Sequence, residues 1–434
     1  MRFEFIGGYS EVGKNMTLVE VNDEFLVLDM GLYLPPVVSY EEGDPRDLTR
    51  EDLIRIGAIP NDNKVNKKFV KGIIFGHAHL DHIGAAPYLA KKYSCDLFGT
   101  PYTIEILKTL FDDKNKRPKN NLISVGYNNK YRLCENFSFE FLNMTHSTMD
   151  TALVVLYTRD GNVAYSNDYK IDNQPVLMDR INAEKFKEVQ PIKVLFLDSL
   201  YGNVKSKTPS ESVARDMVKE VIEELKGNEH AIIFTTFASH IPRLKSIVEY
   251  GRKLGRKVVF LGRSLHKYVS VAKKLNLYDF VDVDLVGYSN LVRKKLRDIN
   301  ENRDKYLIVC TGNQGEKKAV LTRMAEGDLP FEFRNGDNVI FSCRTIPTKE
   351  TVENREYLEN LLNKKGIRIW KDIHVSGHGC QEDAEMLINF LKPEHIILSH
   401  GPAEKVKGNK EVAKKLGYDD KHVHIVKDGD ILNI

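Results

Sequence analysis

Three histidines and one aspartate crowd into six positions, HAHLDH, as His77, His79, Asp81 and His82. Clustered imidazoles carry a cost, because neighbouring rings compete for partners and repel one another once protonated near neutral pH. A divalent cation removes that cost. Imidazole and carboxylate suit zinc and manganese, and the cation keeps the rings neutral. In extended chain, residues two apart project to the same side. His77 and His79 therefore reach one metal, while the turn that follows presents Asp81 and His82 to another. One segment cannot complete two sites, so the missing ligands are expected where other strands end: His146 in NMTHS, Asp168 in YSNDYK and His400 in LSHG. Two cations about 3.5–4 Å apart repel, and a shared carboxylate offsets the repulsion. Asp168 is expected to be that carboxylate, and Asp29, in VLDMG, to orient a ligand from outside the metal shell.

The elements that must position these residues are short and β-rich. MRFEFIGG, MTLVEV, EFLVLDMG, VKGIIFGH, ALVVLYT, NVAYSND and KVLFLDS read as strands ending at polar or charged residues, and helices are expected in GAAPYLAKKY and TPYTIEILKTLF. After Asp198 the texture changes. TPSESVARDMVKEVIEELKG reads as a capped helix, with Thr208 at the cap, Pro209 first in the helix and Glu211 at its third position. Four strand-then-helix units follow, predicting a parallel, doubly wound domain from about 205 to 370. Strand, helix and strand resume beyond it, so the block is expected to be an insertion. The expected boundaries are 1–200 for the first part of one domain, 201–370 for the insertion and 371–434 for the second part.

The composition excludes little. The 434 residues are 29% charged and 42% hydrophobic, enough for two or three cores. Lys and Arg number 64 against 61 Asp and Glu, a net charge of +3, so any basic surface for nucleic acid is local. Five scattered cysteines without a CxxC pair read as buried or free thiols of a reducing compartment. The start has no apolar core of a signal peptide, and no apolar run approaches 18 residues; a cytoplasmic protein with no membrane association is expected.

HAHLDH, with Asp29, His146, Asp168 and His400 in order, resembles the metallo-β-lactamase superfamily. TFASHIPRL, FLGRSL, CTGNQGE, HVSGHG and SHG, spread over nearly the whole chain, resemble its β-CASP nuclease branch and within it the ribonuclease J family in its compact archaeal form. The resemblance implies an α/β fold, a metallo-β-lactamase αββα sandwich with an inserted doubly wound β-CASP domain. It implies two zinc ions per subunit, with manganese as the alternative. His77, His79 and His146 would hold one, Asp81, His82 and His400 the other, and Asp168 both. Such a pair makes hydroxide available at neutral pH to attack a phosphodiester.

The family's general acid matches His378 and its acidic partner Asp198; a carboxylate beside an imidazole favours the protonated ring an acid needs. Histidine at position 400 accompanies the RNA enzymes of the branch. The loop His374, Val375, Ser376, Gly377 and His378 would grip a 5′-monophosphate, glycine permitting close approach. Ser239 and His240 in FASH, and Arg263 in GRS, are further candidates for that phosphate or the next. The implied activity is a 5′-to-3′ exoribonuclease that releases nucleoside monophosphates from single-stranded RNA, acting as a homodimer. The alternative is an endonuclease of the cleavage-factor or tRNA 3′-processing type.

Other features are weaker. CTGNQGE (Cys310 to Glu316) reads equally as an anion loop or an ordinary turn. KNKRPK (114–119) and RKKLR (Arg293 to Arg297) could line an RNA path or be solvated faces. Trp370 is expected to pack at the domain junction. His230, His266, His395, His422 and His424 have no spacing that recommends them. The chain ends without the extra C-terminal domain of bacterial ribonuclease J and begins without the RNA-binding extension of the archaeal cleavage-factor relatives. A diiron redox protein would place an acidic residue at position 79, and a non-catalytic RNA scaffold would have lost ligands.

Overall fold

Strand Arg2–Gly7 alternates half-exposed and buried residues, with Phe3 and Phe5 turned inward, as a strand with one core face must. The computed structural model describes residues 1–9, 11–40, 47–114, 116 and 118–434. It divides into two units. One comprises Met1–Asn173, Met178–Thr208 and Ser376–Ile434, and the other, Gln174–Leu177 and Pro209–Val375, interrupts it along the chain.

In the first unit, one seven-stranded sheet runs in the order Ile431–Asn433, Arg2–Gly7, Met16–Val21, Glu24–Leu28, Val70–Ile74, Asp96–Gly99, Leu122–Ser124. The other runs Val423–Ile425, His395–Ser399, Ile192–Asp198, Asn162–Tyr165, Ala152–Tyr157, Ser138–Asn143, Tyr131–Arg132. Phe3, Phe5, Leu26 and Ile74 of the first sheet share one core with Phe141, Val154, Phe196 and Ile397 of the second. A second core covers the far face of the second sheet, where Leu195 and Leu398 meet Phe186, Leu387 and Val412 of helices Ala183–Glu188, Gln381–Leu391 and Ala403–Lys415. Helix Pro101–Asp113 packs beside strand Asp96–Gly99 of the first sheet. This is the αββα arrangement.

The second unit has one six-stranded sheet, ordered Asp284–Val286, Lys257–Leu261, Tyr306–Cys310, Ile232–Thr235, Asn338–Phe341, Arg368–Trp370, and every pair is parallel. IIFT and NVIF are buried throughout, since strands covered by helices on both faces have no wet side. Four strand-then-helix repeats supply the helices Ile241–Lys253, Arg263–Lys274, Val320–Glu326 and Lys349–Lys364.

One local expectation fails. Ser210, not Thr208, caps helix Glu211–Glu224, its hydroxyl accepting from the Ser212 amide at 3.2 Å. Thr208 is engaged in the first unit, where its hydroxyl donates to the His378 carbonyl (2.7 Å) and accepts from the Cys380 amide (3.0 Å). All five cysteines are free thiols. Among the described residues no helix is long and apolar enough to cross a membrane.

Candidate active site

The site is assembled at the carboxyl ends of strands in the first unit, the usual place for function in sheets of this kind. His77, His146 and Asp168 each lie three residues past a strand, Val70–Ile74, Ser138–Asn143 and Asn162–Tyr165. His400 lies one past His395–Ser399, and Asp198 ends Ile192–Asp198. Asp29, Asn167 and His400 adopt left-handed backbone (φ 63°, 60° and 57°). Such conformations cost roughly 1–3 kcal/mol each and persist where the surroundings demand them. Gly31 is required for a different reason: a Cβ there would lie 1.7 Å from the Asp81 carbonyl oxygen.

Two donor groups share one carboxylate. In the first, His77, His79, His146 and Asp168 present atoms all within 4.8 Å of one another; in the second, Asp81, His82, Asp168 and His400 do the same. Asp168 Oδ2 lies 3.4 Å from His77 Nε2 and 3.6 Å from His146 Nε2. Its Oδ1 lies 3.2 Å from His82 Nε2 and 3.4 Å from His400 Nε2. Each carboxylate oxygen faces a different group.

The rings are held from behind. His82 Nδ1 meets Asp29 Oδ2 at 2.7 Å, and Asp29 also accepts from the Tyr165 hydroxyl (2.8 Å) and the Gly76 amide (3.3 Å). His146 Nδ1 lies 2.7 Å from the Gly377 carbonyl and His400 Nδ1 3.3 Å from Asn15 Oδ1. In all three the Nε2 atom is thereby directed at the donor groups, which is how outer-shell partners fix the tautomer of a ligand histidine. Gly377 sits so close to this assembly that a Cβ would come within 2.8 Å of the Ser147 side chain.

The donor chemistry fits divalent cations. Asp168 Oδ1 and His400 Nε2 are buried and form no hydrogen bond, a costly state for polar atoms unless another partner takes them. Burial and the neighbouring rings hold His146 well below the ordinary histidine range, and burial with His77 pulls His79 down to about 3. Asp168 is held well below the usual carboxylate range: burial opposes this, but the surrounding imidazoles, His400 foremost, prevail. Neutral imidazoles and ionised carboxylates are the metal-binding forms. His82 departs from the pattern, because Asp168, Asp81 and Asp29 outweigh its burial and raise it.

Beside this cluster, His378 Nδ1 lies 2.8 Å from Asp198 Oδ2, with Nε2 3.9 Å from Asp168 Oδ2. Burial alone would lower the His378 pKa, but Asp198 and Asp168 reverse that and raise it to about 9. Asp198 is itself fixed, Oδ1 accepting from the Leu200 amide at 2.8 Å and its carbonyl from Asn409 Nδ2 at 3.1 Å. Ser376 Oγ accepts from the His378 amide at 3.0 Å.

The remaining candidates belong to the second unit. His374 Nδ1 is buried without a hydrogen-bond partner, Val375 and Ser239 are buried, and Arg263 is exposed at the start of helix Arg263–Lys274. The CTGNQGE loop is occupied with itself: Gln314 N donates to Glu316 Oε2, and the Gln314 side chain bonds Arg344 and Ile346. Arg293 to Arg297 lie on helix Ser289–Glu301. In KNKRPK, Asn115 and Arg117 lie outside the described residues, while the Lys116 ammonium sits 3.8 Å from the Tyr88 ring centre. Trp370 Nε1 donates to Asn338 Oδ1 at 3.2 Å, and Arg368 covers its ring. Sequence reasoning missed Asn15, Tyr165 and Asn409. Each is a lone residue with no spacing signal.

Family models match three stretches: "Metallo-beta-lactamase superfamily" over residues 10–217, "Ribonuclease J, beta-CASP domain" over 229–361, and "Zn-dependent metallo-hydrolase RNA specificity domain" over 367–426. The chain is 40% identical to Ribonuclease J of Methanocaldococcus jannaschii, over 99% of this chain and 97% of that one. It is 38% identical to Ribonuclease J of Pyrococcus abyssi, covering 99% and 96%. With Ribonuclease J of Helicobacter pylori the identity is 29%, across 99% of this chain and 60% of that longer protein. A crystal structure of a protein of unknown function from Enterococcus faecalis V583 shares the fold over 99% of both chains, with a TM-score of 0.68 and 18% identity.

Proposed function

The chain belongs to the ribonuclease J family, and from that premise we propose that it is a zinc-dependent 5′-to-3′ exoribonuclease acting on 5′-monophosphorylated single-stranded RNA. Membership makes it a ribonuclease, a hydrolase whose fold implies divalent metal ions. The finer reading rests above all on Asp168, whose two oxygens address two histidine groups. His77, His79 and His146 would hold one zinc (or manganese) ion, Asp81, His82 and His400 another, and Asp168 both. Once bound, such a pair brings the acidity of water toward neutrality and neutralises charge on the phosphodiester.

The chain's own groups do the rest. Asn15, Asp29 and the Gly377 carbonyl orient the rings of His400, His82 and His146. Asp198 fixes the His378 ring through Nδ1, so Nε2 faces the cluster and supplies the proton that the departing 3′ oxygen needs. The loop from Ser376 to His378 takes the terminal phosphate. One feature supports that assignment: Ser376 accepts a hydrogen bond yet keeps its own hydrogen to donate. Domain limits at 1–200, 201–370 and 371–434, a homodimer, and a cytoplasmic location complete the proposal.

The test compares matched RNAs bearing a 5′-monophosphate, a 5′-triphosphate or no end, with His79→Ala as control. Mononucleotides released only from the monophosphorylated linear strand are expected, and none from the variant. Cuts in the circular RNA would instead make this an endonuclease of the cleavage-factor or tRNA 3′-processing type.

A further inference from the structure

A second group of histidines lies at the other end of the strand that leads to His400. His395 opens strand His395–Ser399, and His424 is central in the neighbouring edge strand Val423–Ile425, paired with Ile397. His422 precedes His424 by two residues and Val426 follows by two, so alternation puts all three on one face. Ile397 and Val426 belong to the core between the two sheets, whereas Ile396, Leu398 and Val423 belong to the helix-covered face. The three histidines thus occupy the margin of a face that is otherwise apolar, and each is half-buried.

Two of the three already stand at the spacing of ligands to one ion. His395 Nδ1 and His424 Nε2 face each other at 3.1 Å. Tetrahedral zinc with bonds of about 2.0–2.1 Å separates its ligand nitrogens by roughly 3.3 Å. The His422 ring centre is 5.0 Å from that of His395. The nitrogens facing away have carboxylate neighbours. His422 Nδ1 lies 2.6 Å from Asp419 Oδ1, and His395 Nε2 lies 3.5 Å from Glu394 Oε1, the outer-shell pairing that raises the basicity of ligand histidines. Lys193 is the nearby cation, its ammonium 3.6 Å from Glu394 Oε2. Burial, then the mutual repulsion of the rings, lowers the pKa of His424; burial and His422 do so for His395 against Glu394.

We propose that His395, His422 and His424 bind a divalent cation of the zinc class at a site separate from the active site. The five-residue strand between His395 and His400 holds the two sites roughly 16 Å apart. The cation would tie the edge strand Val423–Ile425 to its neighbour, three histidines holding it and a solvent position completing the coordination.

The experiment measures zinc bound per chain by metal analysis after dialysis against a chelator-buffered submicromolar zinc solution, using the whole protein. His424→Ala and His422→Ala are each expected to bind one zinc fewer than the wild type while retaining full ribonuclease activity. Wild-type zinc content in both variants would overturn the proposal. So would a loss of zinc accompanied by loss of activity, which would mean that the missing ion belongs to the active site. His422, the most exposed of the three, keeps the test valid if His424→Ala does not fold.

Discussion

Two clusters of buried charge, one in each unit, are built on opposite plans. In the first unit, Asp168 and His400 keep buried atoms without hydrogen bonds in the middle of four imidazoles. In the second, Arg243 is wholly buried and every nitrogen is engaged. Nε and Nη2 meet the two oxygens of Glu211 at 2.7 and 2.9 Å, and Nη1 reaches Ser342 O, Ser342 Oγ and Ile373 O at 2.9–3.0 Å. His240 adds a third member, its Nε2 3.5 Å from Glu211. A charge cluster that closes on itself holds a fold together; one that leaves atoms open is built for something that arrives later. His374 is the exception that joins the two plans, an open Nδ1 at the edge of the closed cluster.

The largest expected effects break the open cluster's chemistry. His378→Ala removes the imidazole beside Asp198 and is expected to lower kcat by about 10²–10⁴-fold, the range for a lost general acid. KM should change little, since the ring is proposed to act on the leaving oxygen. Steady-state kinetics on 5′-monophosphorylated RNA would check this, and a rise in KM at constant kcat would assign His378 to binding instead.

Breaking the closed cluster should cost stability. Arg243→Met leaves Glu211 buried without its main partner, a change worth about 3–5 kcal/mol. Trp370, the chain's only tryptophan, lies in the same unit and reports its denaturant unfolding by fluorescence. The double variant Arg243→Met, Glu211→Leu should recover part of the loss, because an apolar pair needs no neutralising charge. If the single and double variants are equally unstable, packing around the guanidinium stem outweighs its charge.

A smaller effect sharpens the idea of rings held from behind. Asn15→Ala deprives His400 of its Nδ1 partner and Asp81 of a donor to its carbonyl. Outer-shell losses of this sort cost roughly 10–100-fold in metal affinity or activity. Added zinc should restore much of the rate if the loss is in affinity, which a metal titration of activity would read.

Legibility followed the range of the signal. HAHLDH was readable because alternation and a turn act within six residues, and His146, Asp168 and His400 because strand ends collect function in sheets. His378 and Asp198 are 180 residues apart, and only the family resemblance joined them. Asn15 had neither spacing nor company. His395, His422 and His424 give no signal in the sequence because their adjacency depends on the register of two parallel strands, which composition does not carry. The cap of helix Glu211–Glu224 lies two residues beyond the one the sequence suggests for a related reason. Thr208 answers to His378 and Cys380, far along the chain, rather than to the helix it precedes.

The closed cluster also makes a prediction about acid. Glu211 is held well below the usual carboxylate range: burial works against this, but the Arg243 guanidinium and His240 prevail. A carboxylate depressed in the folded state contributes stability that is complete above its unfolded pKa, about 4.3, and is lost as pH falls through the folded value. His374 is lowered to about 2 by burial and by the charges of Arg243 and His240. The unfolded histidine takes a proton near 6.5, so its contribution fades from that pH downward. Unfolding followed at Trp370 should therefore show stability falling in two windows, a first below about pH 6.5 and a second below about 4.3. His374→Gln should flatten the first and Glu211→Gln the second. If Glu211→Gln instead leaves the slope below pH 4.3 unchanged, the Arg243 cluster is not what fails in acid, and closure of charge does not distinguish this unit from the first.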